Sequence, residues 1–312
     1  MAFTAKDVMK LREMTGAGMM DCKKALSETD GDMDKAIEKL RERGVAVAAK
    51  KAGRIASEGA VAAYTSEDGR VAALAEVNCE TDFVGKGDVF HALCDSVAKQ
   101  VAINNPENLD ALLAEASIAY NGTVTEQVNS VTQATGEKVA IRRFIRSEIE
   151  MGRIETYIHM GGKIGVMLTV KTGKDLSANE EFTTACHDIA MHIAAFGPKY
   201  TYNSEVSEEE VAKEKEILKA QIMNDPKKAN KPAQIIEKML EGGLSKMYKE
   251  VCLIDQDFVK DNSVTIAGLI ARLAKANDTE ISIVKFDRYV MGEGLEKKNE
   301  DFAEEIAKLS AK

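Results

Sequence analysis

Histidine and cysteine are the residue types in this sequence whose spacing is most informative about a metal site or a catalytic nucleophile. The four histidines are His91, His159, His187 and His192. Only the last two lie close together, and five residues of helix turn a side chain by roughly 140° from its starting face. A zinc-binding helix instead has its histidines four residues apart, with a glutamate beside the first. The spacing therefore predicts no metal site.

The five cysteines are odd in number and form no CxxC pair: Cys22, Cys79, Cys94, Cys186 and Cys252. This arrangement is typical of reduced thiols rather than of a disulfide framework. A cysteine hydrolase using Cys79 would need a histidine base and a third, orienting group, and no local signature indicates either. A thiol at the end of a strand is the other interpretation of Cys79. We therefore expect no catalytic residue and no enzyme activity.

The composition favours a protein partner. The formal net charge is −9, whereas a nucleic-acid-binding surface depends on clustered lysine and arginine. No apolar run approaches the roughly 20 residues of a membrane-spanning helix. No glycine-rich phosphate loop follows a strand pattern, so we expect no bound nucleotide and no cofactor. No signal or transit pattern comes before the first helical pattern, which predicts a cytoplasmic location.

Residues 1–45 have the pattern of a three-helix unit. The first helix covers residues 4–14, with Thr4 and Asp7 spaced as a capping pair. A second helix follows the loop at Gly16 to Gly18, and a third ends at Gly44. The unit is similar to a ubiquitin-associated (UBA) domain. Residues 46–57, rich in alanine and lysine, are predicted to be a linker that is partly helical.

An internal repeat dominates the rest of the chain, because residues 58–106 match residues 151–198. The offset is 93 positions up to the end of the second apolar run and 92 beyond it. Each copy has the pattern of a β-hairpin followed by a helix. The sequence therefore predicts two similar α+β subdomains, one at 58–145 and one at 146–203 with 251–290. Between the copies, helical spacing around Leu109 gives way to an extended segment.

An insertion at 204–250 interrupts the second copy. Ser207 and Glu210 form a capping box, and Pro226 and Pro232 bracket a turn between two apolar stripes. An antiparallel coiled-coil hairpin is the predicted structure. A helix near 264–276 and a strand ending at Val290 follow. A C-terminal module at 291–312 ends in a polar helix that carries Phe302, Ile306 and Leu309.

Two sequence motifs are distinctive. The first runs from Leu11 to Leu26 (LREMTGAGMMDCKKAL), and the second runs from Glu76 to Val84 (EVNCETDFV). Both resemble motifs of the elongation factor Ts family. The resemblance continues over the whole chain, with Gly136, His159 and the closing Gly292-Glu293-Gly294 matching as well. The turn from Asp225 to Lys231 departs from the family by being somewhat extended. The fold that the resemblance implies agrees with the α+β architecture predicted above.

The resemblance implies a guanine-nucleotide exchange factor for elongation factor Tu. It implies that the TDFV loop, Thr81 to Val84, disturbs the Mg²⁺ and phosphate site of that GTPase, with Asp82 and Phe83 entering it. It implies further contacts with the partner from Leu11, Met19, Met20, Lys23, Gly136 and His159. The sequence leaves open whether the protein forms a homodimer.

The residues by themselves also allow other interpretations. Spacing alone would make Met19 and Met20 core residues at the start of a helix, and Phe83 a core residue that closes the hairpin. A UBA-type scaffold could present the methionine pair to some other partner. The second repeat copy reads Lys171 to Leu176 at the turn equivalent to the TDFV loop, without an aromatic residue. The scaffold itself therefore does not require Phe83.

Overall fold

The N-terminal module consists of three helices in the computed structural model, which describes residues 3–15 and 17–296. They are α1 (Ala5–Thr15), α2 (Met19–Glu28) and α3 (Met33–Lys51). Thr4 caps α1 as predicted: its hydroxyl accepts from Asp7 N at 3.4 Å, and its backbone N–H donates to Asp7 Oδ2 at 2.7 Å. Leu11, Leu26 and Leu40 are buried in the small core between the helices.

The predicted end of the third helix at Gly44 is wrong, because α3 continues to Lys51. Alanine and lysine favour helix, and the extension packs along a helix of the next domain. Gly44 is buried at this contact, where an added Cβ would lie 3.5 Å from the Gln133 side chain. Residues 46–51 are therefore helical, and only residues 52–57 connect the N-terminal module to the first strand.

The first copy of the repeat forms a three-stranded antiparallel sheet with helices on one face. Its strands lie in the order β1-β2-β3, and α5 packs against β1 and β2. The elements are β1 (Glu58–Thr65), β2 (Val71–Cys79), α4 (Asp82–Gly85), α5 (Asp88–Asn104), α6 (Leu109–Ala114), α7 (Val124–Thr135) and β3 (Ala140–Glu148). Helix α7 was not predicted. It begins at a capping box of Thr123 and Glu126.

The second copy repeats this arrangement, which confirms the duplication. Its sheet has the order β4-β5-β8. The elements are β4 (Gly152–His159), β5 (Ile164–Thr172), α8 (Glu180–Phe196) and, after the insertion, β8 (Ile281–Val290). Gly59 and Gly152 have φ angles of 137° and 138°. An added Cβ at either would lie 2.1 Å from a carbonyl oxygen of the paired strand, so only glycine fits.

The two sheets pack face to face, with their helices on the outside. Leu74 and Ile154 lie in the apolar layer between the sheets, whereas Ala73 and Ala75 belong to the core that includes α5. Successive side chains of a strand point to opposite faces, so β2 and β5 are buried on both. The backbone N–H of Val61 donates to the carbonyl of Gly162 at 2.8 Å and ties the two copies together.

The inserted hairpin is confirmed as two long helices joined by a short one. They are α9 (Glu208–Asn224), α10 (Pro226–Ala229) and α11 (Ala233–Val251). Ser207 caps α9 by accepting from Glu210 N at 3.2 Å, and Gly243 of α11 faces Leu218 of α9. A small hairpin of β6 (Asp257–Phe258) and β7 (Asp261–Thr265) leads into α12 (Ile266–Ala276).

The fold is α+β, with N-terminal helices and a duplicated, sheet-containing core, as predicted. The polar helix predicted to carry Phe302, Ile306 and Leu309 lies outside the described residues. None of the helices described in residues 3–296 is long and apolar enough to cross a membrane.

Candidate partner-binding site

Phe83 lies on α4 and points into solvent. Its side chain is 84% exposed, the largest value among the large hydrophobic residues that the structure describes. The interpretation of Phe83 as a core residue that closes the hairpin is therefore wrong. The exposed ring contributes nothing to the core of this chain and offers a large apolar surface that another protein could bury.

The burial of Val84 explains the outward orientation of Phe83. Val84 is only 8% exposed and packs in the core of the first copy. Consecutive helical side chains are about 100° apart, so a buried Val84 directs Phe83 away from the core. Val84, which was also expected to contact the partner, has a side chain that anchors α4 to its own domain.

Glu137 holds the beginning of α4. Its Oε2 accepts from the backbone N–H of Glu80 at 3.1 Å and of Thr81 at 2.9 Å. Its Oε1 accepts from the Thr81 hydroxyl at 2.6 Å. Thr81 is therefore occupied in supporting the loop, although its side chain is exposed. Glu137 was not predicted as a site residue, and its position directly after Gly136 was the only indication of its role in the sequence.

Asp82 is exposed beside Phe83 and forms an ion pair along α4. Its Oδ2 lies 2.6 Å from Lys86 Nζ, one helical turn further on. The hydrogen bond from Lys86 and then its positive charge lower the pKa of Asp82. The carboxylate is therefore negatively charged at neutral pH and available to a cation or a hydrogen-bond donor of a partner.

The turn between β4 and β5 lies beside α4. Lys163 pairs with Glu58 at 2.7 Å, and its charge also contributes to the lowered pKa of Asp82 after the effects of Lys86. His159 is half-buried at the same turn, with Nδ1 3.0 Å from the Tyr157 hydroxyl. Tyr157 in turn packs edge-on against His187 of α8, and Ile158, between Tyr157 and His159, packs in the layer between the sheets, so the His159 side chain lies on the α8 face of the second sheet.

Gly136 is exposed and ends α7 with a left-handed φ of 73°. Its carbonyl accepts from Lys51 Nζ at the end of α3. Lys138 Nζ donates to the carbonyls of Ala52 at 2.7 Å and Arg54 at 2.9 Å. The turn from Gly136 to Lys138 therefore joins the end of the N-terminal module to the loop that carries Phe83.

Met19 and Met20 are exposed at the start of α2, by 43% and 73%. Lys23 is exposed on the next turn, and the interpretation of the two methionines as core residues is wrong. Leu11, also expected to contact the partner, is 0% exposed in the core of the module, where its side chain supports the helices.

A shallow groove runs between the N-terminal module and the first subdomain. It has a volume of about 330 Å³ and is lined by Met14, Val89, Tyr120 and Ala134 among other residues. Met14 and Val89 are 44% and 55% exposed. Neither was singled out from the sequence, because isolated apolar residues at the end of one helix and the start of another carry no distinctive spacing.

The sequence comparisons identify the family. A family model described as Elongation factor TS matches residues 80–293. The chain is 46% identical over 305 residues to elongation factor Ts of Clostridium acetobutylicum, which covers 98% of this chain and 97% of that protein. The chain belongs to the elongation factor Ts family. Similar matches include the elongation factor Ts proteins of Clostridium novyi, at 47% identity with 97% of each chain covered, and of Symbiobacterium thermophilum, at 45% identity with 97% and 96% covered.

Membership of the elongation factor Ts family makes the chain a translation elongation factor that acts in nucleotide exchange.

The closing Gly292-Glu293-Gly294 motif has a structural explanation. The Gly292 N–H donates to Oε1 of the fully buried Glu76 at 2.8 Å. Arg142 and Arg143 contact the same carboxylate at 3.0 and 2.6 Å. Burial raises the pKa of Glu76, but the Gly292 amide and the arginines together hold it below its ordinary value. This buried network joins the two subdomains.

The cysteine hydrolase alternative conflicts with the geometry of this elongation factor Ts family member. Cys79 is fully buried, and burial raises the pKa of its thiol to about 12. Its Sγ lies 3.1 Å from the Thr81 carbonyl. His187 and His192 form their hydrogen bonds with Glu155 and Gln256 instead. Within the part of the chain that the structure describes, no cluster of three or more histidine, cysteine or acidic residues is placed to hold a metal ion.

Proposed function

We propose that this protein binds the GDP complex of elongation factor Tu, disturbs its Mg²⁺ and phosphate site, and promotes GDP release so that GTP can rebind. One observation carries the proposal: Phe83 is 84% exposed on a helical turn that the rest of the domain holds in place. An aromatic ring presented in this way can insert into a partner and bury a large apolar surface there.

The exposed residues could contact the GTPase in two separate places. Met19, Met20 and Lys23 would dock the N-terminal module against a helix of the partner, since unbranched, polarizable methionines adapt to a protein surface. Phe83 would insert near the nucleotide, with Asp82 beside it. A carboxylate next to a bound Mg²⁺ perturbs the ligands of the metal electrostatically. His159 and the Gly136 region would add contacts from the core.

Exchange by this mechanism requires no specificity for either nucleotide. If the protein lowers the affinity of elongation factor Tu for GDP by some factor, then GDP must lower the affinity of elongation factor Tu for the protein by the same factor. GDP and GTP can therefore both displace it, and their concentrations decide which nucleotide refills the site. In this proposal the nucleotide is bound by elongation factor Tu alone, and the net charge of −9 favours a protein partner over nucleic acid.

The decisive experiment follows the release of a fluorescent GDP from elongation factor Tu. The protein should accelerate release at least about ten-fold, which corresponds to about 1.4 kcal/mol of barrier. Phe83→Ala should remove most of the acceleration. Phe196→Ala is a matched control, because Phe196 is also an exposed phenylalanine, at 56%, but lies at the end of α8. A protein that binds the GTPase without accelerating release would be a scaffold instead.

A further inference from the structure

We propose that Glu137 is a positioning residue for exchange, which sets the direction of Phe83 without touching the partner. The inference rests on the proposed function, because it assigns Phe83 the role described above. It is carried by the contacts of one carboxylate, which accepts three hydrogen bonds from the two residues just before α4.

The three hydrogen bonds determine where α4 begins. Thr81 is the N-cap of this helix, and its hydroxyl accepts from Val84 N at 3.4 Å while donating to Glu137. A helix of four residues has little stability of its own. The orientation of Phe83 therefore depends on how firmly Glu80 and Thr81 are held.

The contact between the loop and the turn is reciprocal. Glu137 accepts from the backbone N–H of Glu80, and Glu80 Oε1 in turn accepts from the backbone N–H of Lys138 at 2.6 Å. We call these contacts, together with those to Thr81, the Glu137 clasp. Hydrogen bonds to a charged acceptor are short and strong, so the clasp fixes the two segments relative to each other.

The Glu137 clasp also connects Phe83 to the N-terminal module. Arg54 pairs with Glu80 at 3.2 Å, and Lys138 binds the carbonyls of Ala52 and Arg54 just beyond α3. The end of the docking module and the loop carrying Phe83 therefore meet at one turn. A partner gripped at Met19 and Met20 would then face Phe83 at a defined separation.

The second copy of the repeat holds its equivalent loop by other means. There the Gly173 N–H donates to the carbonyl of Glu280 at 2.9 Å, and Asp175 accepts from Ser177 N at 2.8 Å within the loop. The loop without an exposed aromatic residue is thus tied by its own carboxylate and by main-chain contacts. The loop that presents Phe83 receives a carboxylate from 56 residues away.

Hydrogen–deuterium exchange of the free protein tests the clasp without any partner. In Glu137→Ala, the amides of Glu80 and Thr81 should lose most of their protection, while Glu137→Gln should retain part of it because it keeps one acceptor oxygen. Asp175→Ala is the matched control, since it removes a loop carboxylate that accepts a backbone N–H in the second copy. Unchanged protection of both amides in a folded Glu137→Ala protein would overturn the positioning role.

Exchange kinetics then test whether the clasp acts through Phe83. Glu137→Ala should lower the rate of GDP release at saturating factor by about ten-fold, equivalent to about 1.4 kcal/mol, with little change in the half-saturating concentration. Thr81→Val, which removes one bond of the clasp together with the hydroxyl that caps α4, should lower the rate in the same direction. Asp175→Ala should keep the wild-type rate.

The double variant separates positioning from a general structural effect. If Glu137 works only by orienting Phe83, then Phe83→Ala with Glu137→Ala should be no slower than Phe83→Ala alone. Rate losses that multiply would contradict the proposal. If elongation factor Tu releases GDP as fast with Phe83→Ala as with the wild type, the proposed role of Phe83 fails, and with it the role of Glu137 in exchange; no acceleration by the wild type would overturn the proposed function itself. Lost amide protection would then still show that Glu137 holds the loop.

Discussion

Val84 and Leu176 hold equivalent places in the two copies of the repeat. They are 92 positions apart, each is 8% exposed, and each packs in the core of its own subdomain. One apolar residue is thus enough to anchor the segment between the second strand and the long helix. Phe83, directly before Val84, is an addition to this scaffold that appears in the first copy alone.

The neighbouring residues Phe83 and Val84 should respond oppositely to truncation. Phe83→Ala should change the free energy of unfolding by less than about 0.5 kcal/mol, as for other surface sites, while slowing GDP release about ten-fold or more. Val84→Ala should cost about 2 kcal/mol of stability because it removes buried apolar surface. Stopped-flow release and thermal unfolding measured on both variants distinguish the two roles. A Phe83→Ala protein that unfolds at a lower temperature than the wild type, yet accelerates GDP release normally, would contradict the proposed role of Phe83.

Asp82→Ala should slow GDP release and make the residual rate depend more sharply on Mg²⁺, since the carboxylate is proposed to act on the metal's ligands. Lys86→Ala is the control, because it removes the 2.6 Å ion pair and leaves the carboxylate in place. Both variants should retain wild-type stability, as expected for an exposed pair. Release rates measured over a Mg²⁺ series should separate them, and identical Mg²⁺ dependence in both variants would exclude a special role for Asp82.

Truncating the exposed methionines of the N-terminal module should weaken binding, whereas truncating its buried leucine should reduce stability. Met19→Ala with Met20→Ala should weaken the complex by about 2 to 3 kcal/mol, the scale of interface anchors, with unfolding unchanged. Leu11→Ala should instead destabilise the module by about 2 to 5 kcal/mol, because Leu11 is fully buried. Titration calorimetry and thermal unfolding measure the two effects. Wild-type affinity in the methionine double variant would rule out docking through this pair.

Replacing the hairpin at 207–247 by a short Gly/Ser linker should leave most of the exchange activity. Ile222 is the one buried residue of α9, and α11 has none, so the hairpin contributes little to the cores of the two subdomains. Self-association should be measured alongside by analytical ultracentrifugation, because exposed apolar residues of the hairpin are removed. Near-complete loss of exchange in a folded deletion would show that the hairpin helps to hold the partner.

His192 should make stability depend on pH in the acidic range. The side chain is fully buried, Nε2 lies 2.9 Å from Gln256 Oε1, and Nδ1 has no partner among the described residues. Burial lowers the pKa of His192 below its ordinary 6.5. As the pH falls, His192 therefore takes up a proton at a higher pH in the unfolded chain than in the folded protein. The contribution to stability is therefore complete above about pH 6.5 and is lost as the pH falls towards the folded-state pKa.

Urea denaturation of the wild type and of His192→Gln from about pH 7.5 to about pH 5 measures this dependence. The wild type should lose stability more steeply than the variant as the pH falls, whatever the difference at neutral pH. Parallel curves would mean that His192 does not take up a proton differently in the two states.

Features that depend on short sequence spacing were determined by the sequence itself. The capping pair of Thr4 and Asp7, the cap at Ser207 and the duplicated β-hairpin and helix were all predicted. These follow from contacts three or four residues apart or from the alternation of a strand. The TDFV motif was likewise recognised from consecutive residues.

The orientation of individual side chains and the contacts between distant segments were decided only by the tertiary structure. Leu11 and Met20 are both apolar residues of one helical module, yet the first is fully buried and the second is 73% exposed. Helix α3 continues past Gly44 because α7, itself missed in the sequence, provides a surface to pack against. Glu137 reaches Thr81 across 56 residues, a contact created when β3 pairs with β2 and brings the turn before β3 beside the loop that follows β2.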